Sequence, residues 1–148
     1  MSSPLTASPI IAAGVLCWRV VDGEARVLIV RRTQYKDVSI PKGKLDPGET
    51  PPETAVRELL EETGATARDW REIGRMNALN GVCRAPEHVF LATGLERGAA
   101  TGQAEEGISA ITAVPWRDVP GLVAAGGITD GESIAALMFA AVALGRVN

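Results

Sequence analysis

Short apolar runs, bounded by turn residues, recur along the chain and predict β-strands. The runs cover residues 10–21, 25–31, 71–79, 87–94 and 108–114. Their β-branched residues and the turns at their ends favour strands over helices in segments of this length. Residues 22–24, which include Gly23, separate the first two runs. These two runs therefore predict a β-hairpin.

A change of hydrophobic period marks a helix in the middle of the chain. Thr50 precedes Pro51 and stands three residues before Glu53, which is a capping box with proline at the first helical position. Gly64 can adopt positive φ at the far end. The pattern predicts a helix of about thirteen residues that starts at Pro51.

The two sides of this helix differ in character on a 3.6-residue period. The side that we expect to face the core holds Val56, Leu59, Leu60 and Thr63. The opposite side holds Arg57, Glu58, Glu61 and Glu62. Because these glutamates are three and four residues apart, like charges become neighbours there.

The last part of the chain predicts a second helix over residues 134–145, the longest apolar stretch. This stretch is too short to span a bilayer, so we expect a buried helix packed on the sheet. Residues 116–120 predict a short helical turn after the last strand, with Trp116 covering the edge of the core.

Composition sets limits on organisation and location. With 148 residues and no shift in composition, the chain predicts one domain over residues 9–148, after a flexible polar lead-in of residues 1–8. The start lacks the pattern of a signal peptide, and Cys17 and Cys83 form neither a metal motif nor a disulfide framework. We therefore expect a cytoplasmic protein in which both cysteines are small core residues.

The charge balance argues against one class of partner. Fifteen basic and 18 acidic side chains give a net charge of −3 at pH 7. Binding to duplex nucleic acid needs a concentrated basic surface, so we expect no duplex partner, and without a spanning stretch we expect no membrane partner. A small nucleotide is compatible with this balance, because a local metal site can handle its phosphates.

The acidic side of the central helix is the main sign of chemistry. Neighbouring glutamates repel by a few tenths of a kcal/mol per pair, and a bound cation would relieve that repulsion. Mg²⁺ and Mn²⁺ prefer carboxylate oxygens and share their shell with phosphates and waters. For an isolated glutamate-rich helix, the alternative interpretation is a solvated face neutralised by Arg57 and nearby basic residues.

Residues 43–65, GKLDPGETPPETAVRELLEETGA, favour the metal site. The fixed identities are Gly43, Glu49, Arg57, Glu58, Glu61, Glu62 and Gly64. Such a set matches by accident at on the order of one in a billion start positions. The segment resembles the Nudix box, the signature of enzymes that cleave a nucleoside diphosphate linked to another group. The resemblance implies an α/β fold of the α+β kind, an α/β/α sandwich with a mixed β-sheet between helices.

The resemblance also implies roles for the residues of the box in metal-assisted hydrolysis of a pyrophosphate bond. The ligands of Mg²⁺ or Mn²⁺ would be the carbonyl of Gly43 and the carboxylates of Glu58, Glu61 and Glu62. Arg57 would orient these glutamates, while Glu49 would hold Arg57 or bind the metal indirectly. The ions would offset phosphate charge, and a carboxylate would take the proton of the attacking water.

The identity of that base is open between Glu61 in the box and Glu106 outside it. The later half of the chain, with HVFLATGL from His88 and EEGISAI from Glu105, resembles ADP-ribose pyrophosphatases. In those enzymes a loop glutamate before the final strand serves as the base, and Glu106 matches its position. An exposed acidic loop is the alternative interpretation of this glutamate pair.

The substrate is open as well. The amino-terminal half, with RRTQY from Arg31 and SIPKGKLDPGE from Ser39, resembles MutT-type and diadenosine-polyphosphate enzymes. We favour ADP-ribose or a similar nucleotide sugar, with an oxidised dNTP or a diadenosine polyphosphate as the alternative. A non-catalytic nucleotide-binding regulator is a third hypothesis. A homodimer is compatible with the resemblance, because small Nudix proteins are often dimers.

Four basic residues beside the box are candidates for binding phosphate. They are Arg31 and Arg32 at the end of the second strand, and Lys42 and Lys44 in what we predict to be a loop over residues 39–49. Arginine suits phosphate because its fork is planar and bidentate. For all four residues the alternative is plain exposed surface. His88, the only histidine, is expected to be structural.

Overall fold

The fold is a mixed β-sheet with helices on both faces. The structure, a computed structural model, describes residues 8–32, 37–98 and 108–147. The elements in chain order are β1 (Ala12–Val21), β2 (Glu24–Arg32), β3 (Asp37–Ser39), β4 (Lys42–Lys44), α1 (Pro51–Thr63), β5 (Ala65–Asn77), β6 (Pro86–Arg97), β7 (Ile108–Pro115), a 3₁₀ turn (Trp116–Asp118), α2 (Val119–Ala124) and α3 (Gly131–Ala143).

The seven strands form one sheet in the order β3-β2-β1-β6-β5, with β4 paired to β1 and β7 paired to β2. The β1 and β6 strands run parallel, whereas the other pairs are antiparallel. Parallel neighbours need a crossover between them, and β1 and β6 are separated in the chain by α1 and by four other strands. The expected mixed sheet is confirmed.

The pleat of β1 divides the core into two layers. Ala13, Val15 and Cys17 point to one face, where they pack with Ala55 and Leu59 of α1. Leu16 and Trp18 point to the other face, where they pack with α3 through Ala136, Leu137 and Ala140. Successive side chains of a strand alternate between faces. The polar residues of a strand therefore also point either toward α1 or toward α3, depending on whether their position is odd or even along the strand. The predicted α/β/α sandwich is confirmed.

The predicted strands are present, but the segment before α1 differs from the prediction. The hairpin closes through Asp22 and Gly23, both at positive φ, with Val21 paired to Glu24. β5 starts at Ala65, directly after Gly64, and not at residue 71. Residues 39–49, predicted as loop, contain β4, and β3 precedes it. Strands of only three residues carry little local signal, and these two form by pairing with β2 and β1 respectively.

The helix α1 has the predicted ends but a different buried side. Thr50 caps the first turn in a capping box, and Gly64 ends the helix at φ 73°. Val56 and Leu60, expected in the core, are 47% and 40% exposed. Glu58 and Glu62, placed on the polar side, are buried. The expectation of an apolar core side was therefore wrong for these positions, because arginine partners described below allow the carboxylates to be buried.

The remaining elements agree with the pattern in part. α3 packs on the sheet as expected, but it begins at Gly131, where Asp130 caps it. Trp116 starts the predicted helical turn and meets Trp18 edge-on, with ring centroids 5.3 Å apart. Cys17 is buried, whereas Cys83 is partly exposed, so its assignment to the core was wrong. Among the described residues, the helices are shorter or more polar than a membrane span requires.

Candidate active site

Arg57 is the centre of the charged cluster on α1. Its Nε and one terminal nitrogen donate to both carboxylate oxygens of Glu49, at 2.8 and 2.9 Å. The other terminal nitrogen donates to Glu58 at 2.9 Å and to Glu61 at 3.2 Å. Paired arginine and carboxylate groups of this kind are strong and hold a defined geometry. Arg57 therefore orients three of the glutamates at once.

Glu49 fastens the loop before α1 to the same arginine. Hydrogen bonds from Arg57 and then Thr54 lower the pKa of Glu49 to about 2. The Glu49 carboxylate also accepts from the backbone N–H of Asp46 at 3.0 Å, and Arg57 donates to the carbonyl of Lys44 at 3.0 Å. The strand β4, the loop and the helix are thus held together by one ionised pair.

Gly43 sits where any side chain would collide with Glu58. A Cβ added to Gly43 would lie 2.0 Å from a carboxylate oxygen of Glu58 and 2.2 Å from its carboxyl carbon. Gly43 pairs with Ala13 of β1, so its missing side chain points to the face that carries α1. Glycine at this position therefore lets a backbone strand and a buried carboxylate share one small space.

Glu62 is the most buried of the acidic residues of α1. It is fully buried and forms an ion pair with Arg32. The other carboxylate oxygen accepts from the backbone N–H of Lys42 at 3.3 Å. Buried carboxylates are stable in the folded state only when charged or polar partners compensate for lost water. Arg32 supplies that compensation at the end of β2.

The four basic candidates separate onto two faces of the sheet. Arg32 joins the α1 cluster, whereas Arg31 has the opposite parity on β2 and is exposed. Lys42 turns toward α3, where its ammonium lies 2.7 Å from Glu132 and 3.9 Å from Asp130. Lys44 is exposed and contributes its carbonyl to Arg57.

The donor set suits a hard cation, although the present side-chain positions do not form a closed site. Gly43, Glu58, Glu61 and Glu62 offer only oxygen ligands, which Mg²⁺ and Mn²⁺ prefer. Within the described ranges, no group of three or more His, Cys, Asp or Glu side chains is arranged to hold a metal ion. Arg57 and Arg32 bind the carboxylates instead. The residues fit the ion chemically, and binding would require the glutamates to turn from these arginines.

Two further acidic residues concern the candidate site: one was predicted, and one was missed by the sequence analysis. Glu106, the alternative base, falls outside the described residues. Glu87, at the start of β6, was not singled out in the sequence, yet it is 1% exposed. Its parity on the strand was the available signal, because Val89 and Leu91 of the core lie two and four residues further. His88 points to the other face and bonds Glu72 at 2.9 Å, in agreement with a structural role.

Comparisons with known proteins match this architecture. Residues 11–137 match the family model of the NUDIX domain. The chain is 43% identical over 74 residues to an 8-oxo-(d)GTP phosphatase of Mycolicibacterium smegmatis, covering 44% of this chain and 23% of that protein. It is 37% identical over 83 residues to an ADP-ribose pyrophosphatase of Bacillus subtilis, covering 53% of this chain and 45% of that protein.

A solved structure resembles the fold over nearly its full length. The NUDIX domain of Shewanella oneidensis NrtR, complexed with ADP ribose, superposes with a TM-score of 0.73 at 15% identity, covering 97% of this chain and 94% of that chain. The chain spans less than half the length of the two curated relatives above. The family model covers most of the chain, including residues 43–64. The protein belongs to the Nudix family.

Proposed function

We propose that this chain is a divalent-metal-dependent pyrophosphohydrolase that acts on a nucleoside diphosphate linked to another group. One observation carries the proposal: Arg57 holds Glu49, Glu58 and Glu61 around the glycine at position 43, and Glu62 is buried beside them. A cluster of carboxylates held by partly buried arginines favours a functional role, because replacing such ion pairs by well-packed apolar residues is often neutral or stabilising for a fold.

In the proposed reaction, Gly43, Glu58, Glu61 and Glu62 would hold Mg²⁺ or Mn²⁺, and a bound ion would supply Lewis-acid stabilisation of phosphate charge. Arg57 keeps the glutamates oriented through its hydrogen bonds. Glu61 has the most exposed of these carboxylates, with 41% of its side chain accessible, so it can reach a water molecule. Glu61 or Glu106 takes the proton of that water.

ADP-ribose or a similar nucleotide sugar is the favoured substrate. The similarity to an ADP-ribose pyrophosphatase and the fold shared with a NUDIX domain that binds ADP ribose support this choice. An 8-oxo-dGTP substrate is the second candidate, because the match to an 8-oxo-(d)GTP phosphatase has the higher identity. Arg31 and Lys44, both exposed, are proposed to contact phosphates, along with Arg32 and Lys42.

The test is phosphate release from ADP-ribose, a diadenosine polyphosphate, dGTP and 8-oxo-dGTP, with phosphatase coupling, in Mg²⁺ or Mn²⁺ and again with a chelator. We expect metal-dependent cleavage with the highest kcat/KM on ADP-ribose. A clear preference for 8-oxo-dGTP would replace the favoured substrate by the second candidate. Binding of these nucleotides without turnover of any would contradict the enzymatic proposal and favour a binding protein.

A further inference from the structure

Glu87 is a buried carboxyl group without a partner. It lies on β6 in the row that points toward α3, opposite the face of α1. Its side chain is almost fully buried, and neither carboxylate oxygen has a hydrogen-bond partner in the described part of the chain. An unpaired buried carboxyl destabilises a fold, and an apolar residue of similar size would pack there at lower free energy. The group therefore points to a function other than stability.

The neighbours of Glu87 make this part of the molecule acidic. Asp130 and Glu132 of the α3 start face Glu87, with Lys42 as the basic group among them. Asp130 accepts from the backbone N–H and hydroxyl of Ser133, and Glu132 pairs with Lys42. Of the three acids, two are satisfied by the protein and Glu87 is not.

Burial also favours the uncharged form of Glu87. Lost solvation, with the charge of Glu132, raises the pKa of Glu87 to about 7 despite the opposing charge of Lys42. A protonated carboxyl both donates and accepts hydrogen bonds, whereas a carboxylate only accepts. Both the protonated and the ionised form of the Glu87 carboxyl can accept a hydrogen bond, and neither form attracts phosphate.

Glu87 lines a cavity beside the Nudix box. This cavity of about 290 Å³ is lined by the acidic residues Glu87 and Glu132, by Gly43 of the box, and by the basic residues Arg32, Lys42 and Lys44. A second cavity of about 610 Å³ shares Leu79 and Glu132 with the first, so the two cavities adjoin. Ala12 pairs with both Glu87 and Lys44, which places these residues two strand spacings apart, roughly 10 Å.

This distance fits the sugar or nucleoside that a substrate carries next to its phosphates. Phosphates held at the basic residues of the cavity leave the attached group beside Glu87, whose unpaired carboxyl can accept a hydrogen bond from an N–H or O–H donor. We propose that Glu87 is a specificity-determining residue whose carboxyl accepts a hydrogen bond from the non-phosphate part of the substrate. The inference rests on the proposed hydrolase function and adds the group that selects the substrate.

Two sources can supply such a donor: a nucleobase N–H group or a sugar hydroxyl. The base arm of the test compares dGTP with dITP, which lacks the exocyclic amino group. The sugar arm compares ADP-ribose with analogues that lack the 2- or 3-hydroxyl of the terminal ribose. Each pair is measured as a ratio of kcat/KM with wild type, Glu87→Leu and Glu87→Gln.

We expect the wild type to prefer the complete member of one pair by at least about tenfold, because a buried acceptor left unpaired penalises the deficient analogue. Glu87→Leu should reduce that ratio to near unity, and Glu87→Gln, which keeps an acceptor, should retain part of it. Thermal unfolding of Glu87→Leu at pH 7.5 should occur at a higher Tm than wild type, which a structural role would not produce.

The matched control is Glu96→Leu, an exposed glutamate on the same strand that should leave all ratios unchanged. Two results would overturn the inference: kcat/KM ratios near unity for both pairs in the wild type, or ratios that stay unchanged in Glu87→Leu. In either case, hydrolysis by the wild type would still support the proposed hydrolase function. A lower Tm in both Glu87 variants would also overturn it, because the carboxyl would then serve the fold. Absence of wild-type hydrolysis on every substrate would instead contradict the proposed function.

Discussion

The two faces of the sheet carry acidic clusters that differ in how their charges are compensated. On the α1 face, Glu49, Glu58 and Glu61 share Arg57, and Glu62 has Arg32. On the α3 face, Lys42 serves Glu132 and Asp130, and Glu87 is left unpaired. The first cluster holds its carboxylates with arginines, whereas burial in the second raises the pKa of Glu87 to about 7. The same type of residue is thus proposed to bind a cation on one face and to accept a hydrogen bond on the other.

The largest effect is expected from removing one charge from the α1 cluster. In Glu62→Gln, turnover of the best substrate should fall by roughly a thousandfold, because the metal contributes several kcal/mol to the transition state. Hydrolysis rates and far-UV circular dichroism measure the effect, with the fold expected to persist. Glu96→Gln serves as the control. Near-normal rates in Glu62→Gln would remove that residue from the proposed site.

The α3 cluster predicts a pH dependence of stability. The pKa of Glu87 rises from about 4.5 in the unfolded chain to about 7 in the folded protein, so the folded state holds the proton more tightly. Its stabilisation is complete below pH 4.5 and is lost as pH rises through 7. Relative to Glu87→Gln, wild type should lose roughly 2 to 3 kcal/mol of unfolding free energy between pH 4.5 and 7.5.

Urea unfolding of both proteins at several pH values measures this difference. The groups that face Glu87, namely Lys42, Glu132 and Asp130, are present in both proteins, so their own titration largely cancels. A difference that grows as pH falls would mean that Glu87 is ionised and paired in the folded state. In that case the carboxylates of both clusters would be ionised and paired, and the two faces of the sheet would not differ in charge compensation.

A smaller effect is expected when the space between β4 and α1 is filled. In Gly43→Ala, the new methyl group meets the carboxyl end of Glu58, which can move, so unfolding free energy should change by only about 1 kcal/mol. The displaced Glu58 leaves its position beside Arg57, and kcat/KM should fall about tenfold or more. Gly121→Ala, where an added Cβ meets nothing within 4 Å, is the matched control. Equal activities in the two variants would contradict a requirement for glycine at position 43.

The sequence contained enough information for the central elements. The capping box at Thr50, the glycine at position 64 and the spacing of the glutamates are local features, and α1 follows them closely. The hairpin of β1 and β2 likewise depends on residues that are neighbours in the chain. Local backbone preferences and nearby hydrogen bonds decide these features, so a single sequence is sufficient.

The side of α1 that is buried could not be predicted in the same way. Leu60 looks like a core residue and Glu62 like a surface residue until Arg32, thirty positions earlier, is placed beside Glu62. The strands β3 and β4 are similar, because each has only three residues and becomes a strand through pairing with β2 and β1 respectively. Residues distant in sequence supply the compensating free energy, and no periodic pattern records them.

The residues of the Nudix box, the family and the helix that carries them were determined by the order of the amino acids. The tertiary structure alone decided which cation pairs with which carboxylate, that Lys42 turns away from α1, and that Glu87 lies unpaired in a cavity that Gly43 also lines. The physical reason is the separation in sequence over which each interaction acts. Capping and helical spacing act within a few residues, whereas desolvation and ion pairing depend on groups that only the folded chain brings within a few ångströms.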